Sequence, residues 1–418
     1  MRSSSAWTTQ RLGRLAKTIG GSGFPHAYQG NPDGEFPFAK VSDLKMPANG
    51  NGLITAQNFV SRLEAKVLGA RVVPIGSIVF PKVGAALLGN ARSLVQRECL
   101  IDNNMMAVVP NVGDSRYWLY LLSVVDLGQL VGGGPLPFVS ESQVRDLQVW
   151  NPPIEEQRRI ADFLDGECSR MGKQREAFVK LRALVEEREG SVLEASLIAD
   201  SCGSSEGLNR RKWVPLARLT DQARPIMYGI VLPGPNVDDG VPIVKGGDVA
   251  GRRLRVDALC KTTREIESGY RRSRLKGGDL VIAIRGSVGE VEVVPDELTG
   301  ANLTQDAARI SIGRGVDRRW LELVLRTPSV AADIQSRVTG ATIKGINIWD
   351  LKRVLIPMPE SFKDQKRSSA VADREISLHE QILAGLDRQL RLLEERRQAL
   401  ITMAVSGQID VTTARGSD

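Results

Sequence analysis

The sequence predicts an α+β chain, with two pseudo-symmetric β-rich domains separated by two long antiparallel helices that form a coiled coil. Three observations predict it. Landmarks in the first half recur in the second at offsets of 204–208 residues. Two matched stretches carry heptad stripes of apolar residues. Each stretch follows a segment of short apolar runs broken by Gly and Pro, the pattern of strands and turns. The predicted boundaries are 1–150 and 209–357 for the β-rich domains, and 151–200 and 358–410 for the helices.

The elements repeat in order. EFPFAKVSDL (35–44) is matched by GVPIVKGGDV (240–249), so Lys40 and Asp43 correspond to Lys245 and Asp248. PIGSIVFPKVGAALLGN (74–90) is matched by LKGGDLVIAIRGSVGEV (275–291). Each is a Gly turn, an apolar strand, a basic residue (Lys82, Arg285) and a second Gly turn. Leu-rich helical stretches follow, YWLYLLSVVDL (117–127) and RRWLELVLRTP (318–328). Each half then has a strand ending at proline, with Asp146-Leu147 matching Asp350-Leu351.

The helices begin after those prolines, at PPIEEQRRIADFLD (152–165) and PESFKDQKRSSAVAD (359–373). Gln157 and Gln365 are 208 apart, as are the EER triplets at 186–188 and 394–396. Two helices that pack in register cannot change length independently, whereas loops can. Leu164, Met171, Phe178, Val185 and Val192 recur every seven residues in the first. In the second, His379, Leu386, Leu393 and Leu400 do so, with Ile376, Leu383 and Leu390 at the companion position. A 3.5-residue apolar seam with charged flanks is a coiled-coil signature. Each helix runs about 40 residues, or roughly 60 Å. Gly172, Gly190 and Gly385 interrupt these helices and lower local propensity.

Composition narrows the function. Only two His occur in 418 residues, so a His-ligated metal site or a His-based proton relay has little to be built from. Cys99, Cys168, Cys202 and Cys260 show neither disulfide-framework nor zinc-site spacing. No apolar run is long enough to span a membrane, and the N-terminus lacks the apolar stretch of a secretory signal. A cytoplasmic chain is expected. The net charge is +7 and is not evenly spread. Residues 1–150 hold 14 basic and 10 acidic residues, and 209–357 hold 25 and 17, of which 19 are Arg. The two predicted domains are thus basic, as a polyanion-binding surface requires.

Catalytic motifs are weak. NPPI (151–154) resembles the amine-binding motif of amino-methyltransferases, but Ile154 stands where the base-stacking aromatic belongs. Two prolines between a strand and a helix need no catalytic explanation. GGSG (20–23) and GGG (132–134) are neither nucleotide-binding fingerprints nor Walker loops, and read as flexible loops. No catalytic residue, metal site or cofactor is assigned to this chain.

The duplicated order, the segment PPIEEQRRIADFLD, the ending SGQID and the stretch GSGFPHAYQGNPDGEFPFAKVSDL resemble the specificity (S) subunits of type I restriction–modification systems. KDQKRSSAVAD departs from the family pattern by lacking the apolar residues of RRIADFLD. The resemblance implies a non-catalytic subunit whose two target recognition domains read the halves of an asymmetric bipartite duplex DNA site. It implies as partners two adenine-N6 methyltransferase (M) subunits, which would carry S-adenosylmethionine, and motor-nuclease (R) subunits. Alternatives of other classes are an enzyme with its own methyltransferase or nuclease activity, and a coiled-coil interaction protein without a DNA role. Base readout needs side chains held on rigid strands and turns. The candidates are Lys40, Lys82, Asn90, Asn103 and Asn104 in the first domain, and Tyr228, Lys245, Arg285, Asn302 and Lys344 in the second. Arg252, Arg253, Arg271, Arg272 and Arg274 are candidates for phosphate contacts.

Overall fold

The computed structural model describes residues 7–46, 49, 52–131, 137–198, 212–249, 254–340 and 344–411. Arg252, Arg253 and the GGG at 132–134 lie outside the described residues. The chain divides into two compact units, Met1–Phe178 with Arg388–Asp418, and Val179–Asp387. The helices therefore form no unit of their own. The first long helix, Ile154–Leu197, and the second, Phe362–Val405, each contribute to both units.

In the first unit, β1 (Thr9–Arg11) pairs antiparallel with β10 (Gln148–Trp150) beside the start of the first long helix. Between them lie β2 (Ala16–Gly20), β3 (Phe36–Ala39), β4 (Gly52–Leu53), β5 (Phe59–Val60), β6 (Ile78–Pro81), β7 (Ser93–Val95), β8 (Leu100–Ile101) and β9 (Met105–Pro110). They form a five-stranded sheet of order β2-β9-β6-β7-β4 and a three-stranded sheet of order β5-β3-β8. The middle strand β3 runs antiparallel to β5 and parallel to β8.

The second unit repeats this plan. β11 (Lys212–Pro215) pairs with β19 (Leu355–Met358). β12 (Met227–Tyr228), β15 (Leu280–Ala283), β16 (Val291–Val293) and β18 (Ala307–Ile310) form a sheet of order β12-β18-β15-β16. β13 (Val241–Val244) again runs antiparallel to one neighbour, β14 (Lys261–Thr262), and parallel to the other, β17 (Asn302–Leu303). Register makes the correspondence residue by residue. Val79 faces Ala107 as Val281 faces Arg309, and Phe38 faces Leu100 as Ile243 faces Asn302.

Both units close over pieces of the two long helices. In the first unit, Tyr117, Trp118 and Leu121 share a core with Ile160, Ala161 and Leu164 near the start of one helix, and with Ile401, Ala404 and Val405 at the end of the other. In the second, Trp320, Leu321 and Val324 share a core with Leu193 and Leu197 near the end of the first helix, and with Ala372 near the start of the second. The helix pair is antiparallel. Arg182 reaches across it to Asp387 at 3.1 Å. The heptad seam is visible in burial: Leu164, Met171 and Leu386 are buried, and Phe178, Val185, Val192, Ile376, His379, Leu383, Leu390, Leu393 and Leu400 are half-buried. The His379 ring is held by the Glu375 carbonyl one turn back, at 2.8 Å.

A repeated clamp fastens each unit to its helix. Asp114 caps the helix Ser115–Ser123, and Asp317 caps Arg318–Leu325. The backbone N–H of each Asp donates to a buried glutamine on a long helix, Gln157 at 3.0 Å and Gln365 at 2.7 Å. Two residues past each cap an arginine reaches the same helix, Arg116 to Asp162 and Asp165, and Arg319 to Asp373. Gly190 has a packing reason, since a Cβ there would lie 3.1 Å from Pro328. Gly172 and Gly385 face open space, and nothing in the structure explains them.

The GGSG segment is no flexible loop. Gly20 ends β2, and Gly21 N–H donates to Met105 O. A Cβ on Gly21 would sit 1.8 Å from the Asp102 carbonyl, and one on Gly229 would sit 2.0 Å from the Leu303 carbonyl. Both halves need glycine at this strand crossing. Gly229→Ala is expected to lower unfolding free energy by roughly 2 kcal/mol or more, as overpacking against backbone does. Gly172→Ala should raise it by about 0.5–1 kcal/mol, because its helical site is open. Urea denaturation of the full chain measures both. Gln365→Leu, which leaves the Asp317 N–H without its acceptor, should cost about 1–3 kcal/mol in the same measurement.

Candidate nucleic-acid interface

Strand β3 ends at Lys40, whose backbone N–H donates to the buried Asp43 carboxylate at 2.7 Å. Its ammonium donates to Gln29 at 2.6 Å and lies 5.3 Å from the centre of the Phe24 ring. Strand β6 ends at Lys82, whose N–H donates to Asn104 O at 2.8 Å. Asp102 N–H donates to Ala39 O at 3.0 Å, so the exposed turn bearing Asn103 and Asn104 is stitched to the ends of both strands. Lys40, Lys82, Asn103 and Asn104 are thereby brought together. Burial raises the Asp102 carboxyl, opposed by its bonds to Asn104 and by the Lys40 charge.

The second unit builds the same corner from other side chains. Lys245 N–H donates to Asp248 at 2.8 Å, and its ammonium lies 3.1 Å from Cys260 Sγ. Thr304 N–H donates to Val244 O, and Ile284 N–H, which strand register matches to Lys82, donates to Asp306 O at 2.8 Å; Arg285, one residue on and matched to Val83 rather than Lys82, reaches the same oxygen at 3.2 Å. The Arg285 guanidinium is 3.8 Å from the Asp306 carboxylate. Gly286 N–H donates to Lys344 O, which brings exposed Lys344 alongside. Lys245, Arg285 and Lys344 thus meet the turn Thr304–Asp306. A side chain at Gly246 would press within 3.1 Å of both the Asp306 and Arg285 carbonyls, so this corner is closely packed backbone. Gln305 and Asp306, the counterparts of Asn103 and Asn104, are not among the sequence candidates. The repeat would have found them, counted from the β8 and β17 register rather than by amide type.

Other candidates are corrected. Asn302 is fully buried and faces no solvent. It donates to Glu267 and Tyr270 O and accepts from Ser273 Oγ at 2.7 Å, so it is a core amide and the counterpart of Leu100. Asn90 has φ of 50°, the left-handed turn conformation that Asn tolerates. Its amide donates to Ser123 O and accepts from Arg92 at 2.6 Å, so it shapes a turn. Arg274 forks onto Glu267 at 2.6 and 2.5 Å. Arg271 and Arg272 are exposed, and Tyr228 is exposed on β12. Burial pushes the Cys99 thiol up to about 12, which removes it as a nucleophile.

No family model matches the chain. It is similar to the type I restriction enzyme EcoBI specificity subunit of Escherichia coli, 21% identical over 287 residues, which is 65% of this chain and 60% of that protein. The chain therefore spans about 60% of the length of the curated relative it matches. Its fold is that of a chain solved in work on complex assembly and conformational transition of the type I R-M system, with TM-score 0.72 and 18% identity over 97% of this chain and 99% of that one. The HsdS subunit from Thermoanaerobacter tengcongensis is also similar, with TM-score 0.56 and 18% identity over 97% and 98%. The resemblance drawn from the sequence motifs stands in both the curated relative and the fold.

The Glu267 network predicts a pH dependence. Its bond to Arg274 holds the Glu267 carboxyl below its ordinary value of 4.5, against the opposing effect of burial. The stabilisation is present above that ordinary value and is lost as pH falls through the lowered one. The stability lost in Arg274→Gln should therefore be greatest above that ordinary value and shrink as pH falls through the lowered one, measured by urea denaturation at a series of pH values. Because Arg274 is 45% exposed, the loss at neutral pH should be only about 1–2 kcal/mol.

Proposed function

We propose that this chain is the DNA sequence-recognition subunit of a type I restriction–modification complex, reading an asymmetric bipartite duplex site. One observation carries the reading. The same backbone corner occurs once in each unit, stitched by equivalent hydrogen bonds from Lys82 and Ile284, and carries unlike side chains: Lys82 with Asn103 and Asn104 in one, and Arg285, one residue past Ile284, with Gln305 and Asp306 in the other. Equal scaffolds with unequal donors and acceptors suit two half-sites of different sequence. Lys and Arg pair with guanine O6 and N7, Asn and Gln with adenine N6 and N7, and Asp accepts from cytosine N4. The basic balance of residues 1–150 and 209–357 supplies the attraction for backbone phosphate.

In this reading the chain does no covalent chemistry. Partner methyltransferase subunits, carrying S-adenosylmethionine, transfer the methyl group to an adenine in each half-site, and motor-nuclease subunits restrict unmodified DNA. The complex works in the cytoplasm. The long helices offer partners exposed apolar side chains off the seam, including Leu181, Leu184, Leu378 and Leu392. Their matched lengths support a fixed spacer between half-sites.

Selection of the full chain, with its methyltransferase partner, on a random duplex library tests this. Two unlike half-sites at one fixed spacing are expected. A continuous or palindromic motif, or no enrichment, would sink the proposal. Lys82→Ala should relax one half-site and Arg285→Ala only the other, each by about 1–3 kcal/mol of base discrimination.

A further inference from the structure

The second unit holds a cationic cavity that the recognition corner does not use. Its volume is about 380 Å³, and its charged lining is Arg224, Arg271, Arg272, Arg274, Lys276 and Arg309, with no acidic residue among the lining. It opens where the chain enters β15, whereas Arg285 lies just past that strand's other end.

The cavity is a built one. Arg309 is 1% exposed on β18, with its guanidinium directed at backbone carbonyls: Arg272 O at 2.6 Å, Arg274 O at 3.1 Å and Pro225 O at 3.1 Å. Its Nε is buried and has no acceptor among the described residues. Arg224 is bidentate to Asp279 and donates also to Arg274 O. These two arginines fix the turn Arg271–Ser273, which Ser273 ties to Asn302 from below. The nearby carboxylates, Asp279 and Glu267, are already held by Arg224 and Arg274. Among the described residues Arg271, Arg272 and Lys276 make no side-chain ion pair within 4.0 Å, although the Arg271 charge is close enough to help lower the Glu267 carboxyl. A buried guanidinium bonded to neutral carbonyls, beneath three further cations, favours an anion above it. Burial and the Arg224 charge lower Arg309 from its ordinary value, opposed by Asp279 and Asp221.

The fold does not require this arrangement. By strand register, Arg309 corresponds to Ala107, and the same alignment sets Arg224 against Ala16 and Lys276 against Pro74. The first unit folds around small and apolar residues at all three positions.

We propose that this cavity binds a phosphate group, with room for the attached sugar, supplied by the backbone of duplex DNA or by a free nucleotide. Guanidinium forks match phosphate oxygens in geometry as well as charge. The duplex source rests on the recognition reading above, while the cavity itself does not. Bound to duplex, it anchors the second half-site without reading its bases.

The test uses the full chain and the variant Arg271→Gln/Arg272→Gln, whose exposed side chains leave the fold intact; an unchanged melting temperature checks this. Duplex affinity is measured from 50 to 300 mM salt, and AMP and inorganic phosphate are titrated by calorimetry. If the source is duplex, the slope of log K against log salt becomes shallower by about 1–2, and affinity falls about tenfold on cognate and random DNA alike. If the source is a free nucleotide, duplex binding is unchanged while AMP or phosphate binds the parent chain and not the variant. No difference between parent and variant in either arm overturns the proposal. If the parent chain binds no duplex, the recognition reading fails on its own and the AMP and phosphate titrations alone decide.

Discussion

The structure depends on one interaction made twice. A buried glutamine on a long helix accepts the backbone N–H of an aspartate that caps a short helix. An arginine two residues on then reaches a carboxylate eight residues further along the long helix. The cap satisfies the open N–H groups of the short helix, and the glutamine satisfies the aspartate's own N–H. The unit is thereby fixed to the helix by directional bonds in addition to apolar packing. Packing alone tolerates sliding by a fraction of a turn, but a buried amide paired with a single N–H does not. This is why Gln157 and Gln365 keep their interval from the carboxylates they accompany, Asp165 and Asp373.

With each unit fixed in that way, its recognition corner is positioned by strands rather than by side-chain flexibility. β3 and β13 end at a lysine whose N–H is capped three residues on. β6 and β15 run to a residue, Lys82 or Ile284, whose N–H is held by the turn of the neighbouring strand. The backbone is committed and the side chains are free to differ. A scaffold of that kind can change the side chains it presents without changing how it folds, because the variable atoms are not the ones that hold the corner together.

The architecture was readable because it is duplicated and because helix length is a hard constraint. Offsets, heptads and the strand-turn repeats locate the major elements, and Lys40, Lys82, Asn103 and Asn104 lie at one corner and Lys245, Arg285 and Lys344 at the other, with Arg285 one residue past the position that matches Lys82. The misreadings share a cause. Asn302 and Asn90 were chosen by residue type, yet an amide also satisfies buried polar groups and tolerates left-handed turns. Periodicity shows that a helix exists but not which globular core absorbs each part of it. Arg116 and Arg319 carry no local signal of their role, since the carboxylates that tie them to the long helices, Asp165 and Asp373, lie 49 and 54 residues away.

The two units also differ inside, in a way that strand register makes explicit. Ala65, Val72 and Leu100 belong to one apolar cluster of the first unit. The corresponding residues of the second are Glu267, Arg274 and Asn302, a hydrogen-bonded network that ends on Ser273. Neither solution converts to the other one residue at a time. Glutamate at position 65 alone would bury a carboxylate without its arginine, and leucine at 302 alone would strip Glu267 and Ser273 of a partner. Such a set changes together or not at all. The shared scaffold can therefore carry two chemically different interiors, with Arg309 and its cavity accompanying only the polar one. The natural unit of change in this fold is then the whole interior of a unit, bounded by the clamp that each unit makes for itself.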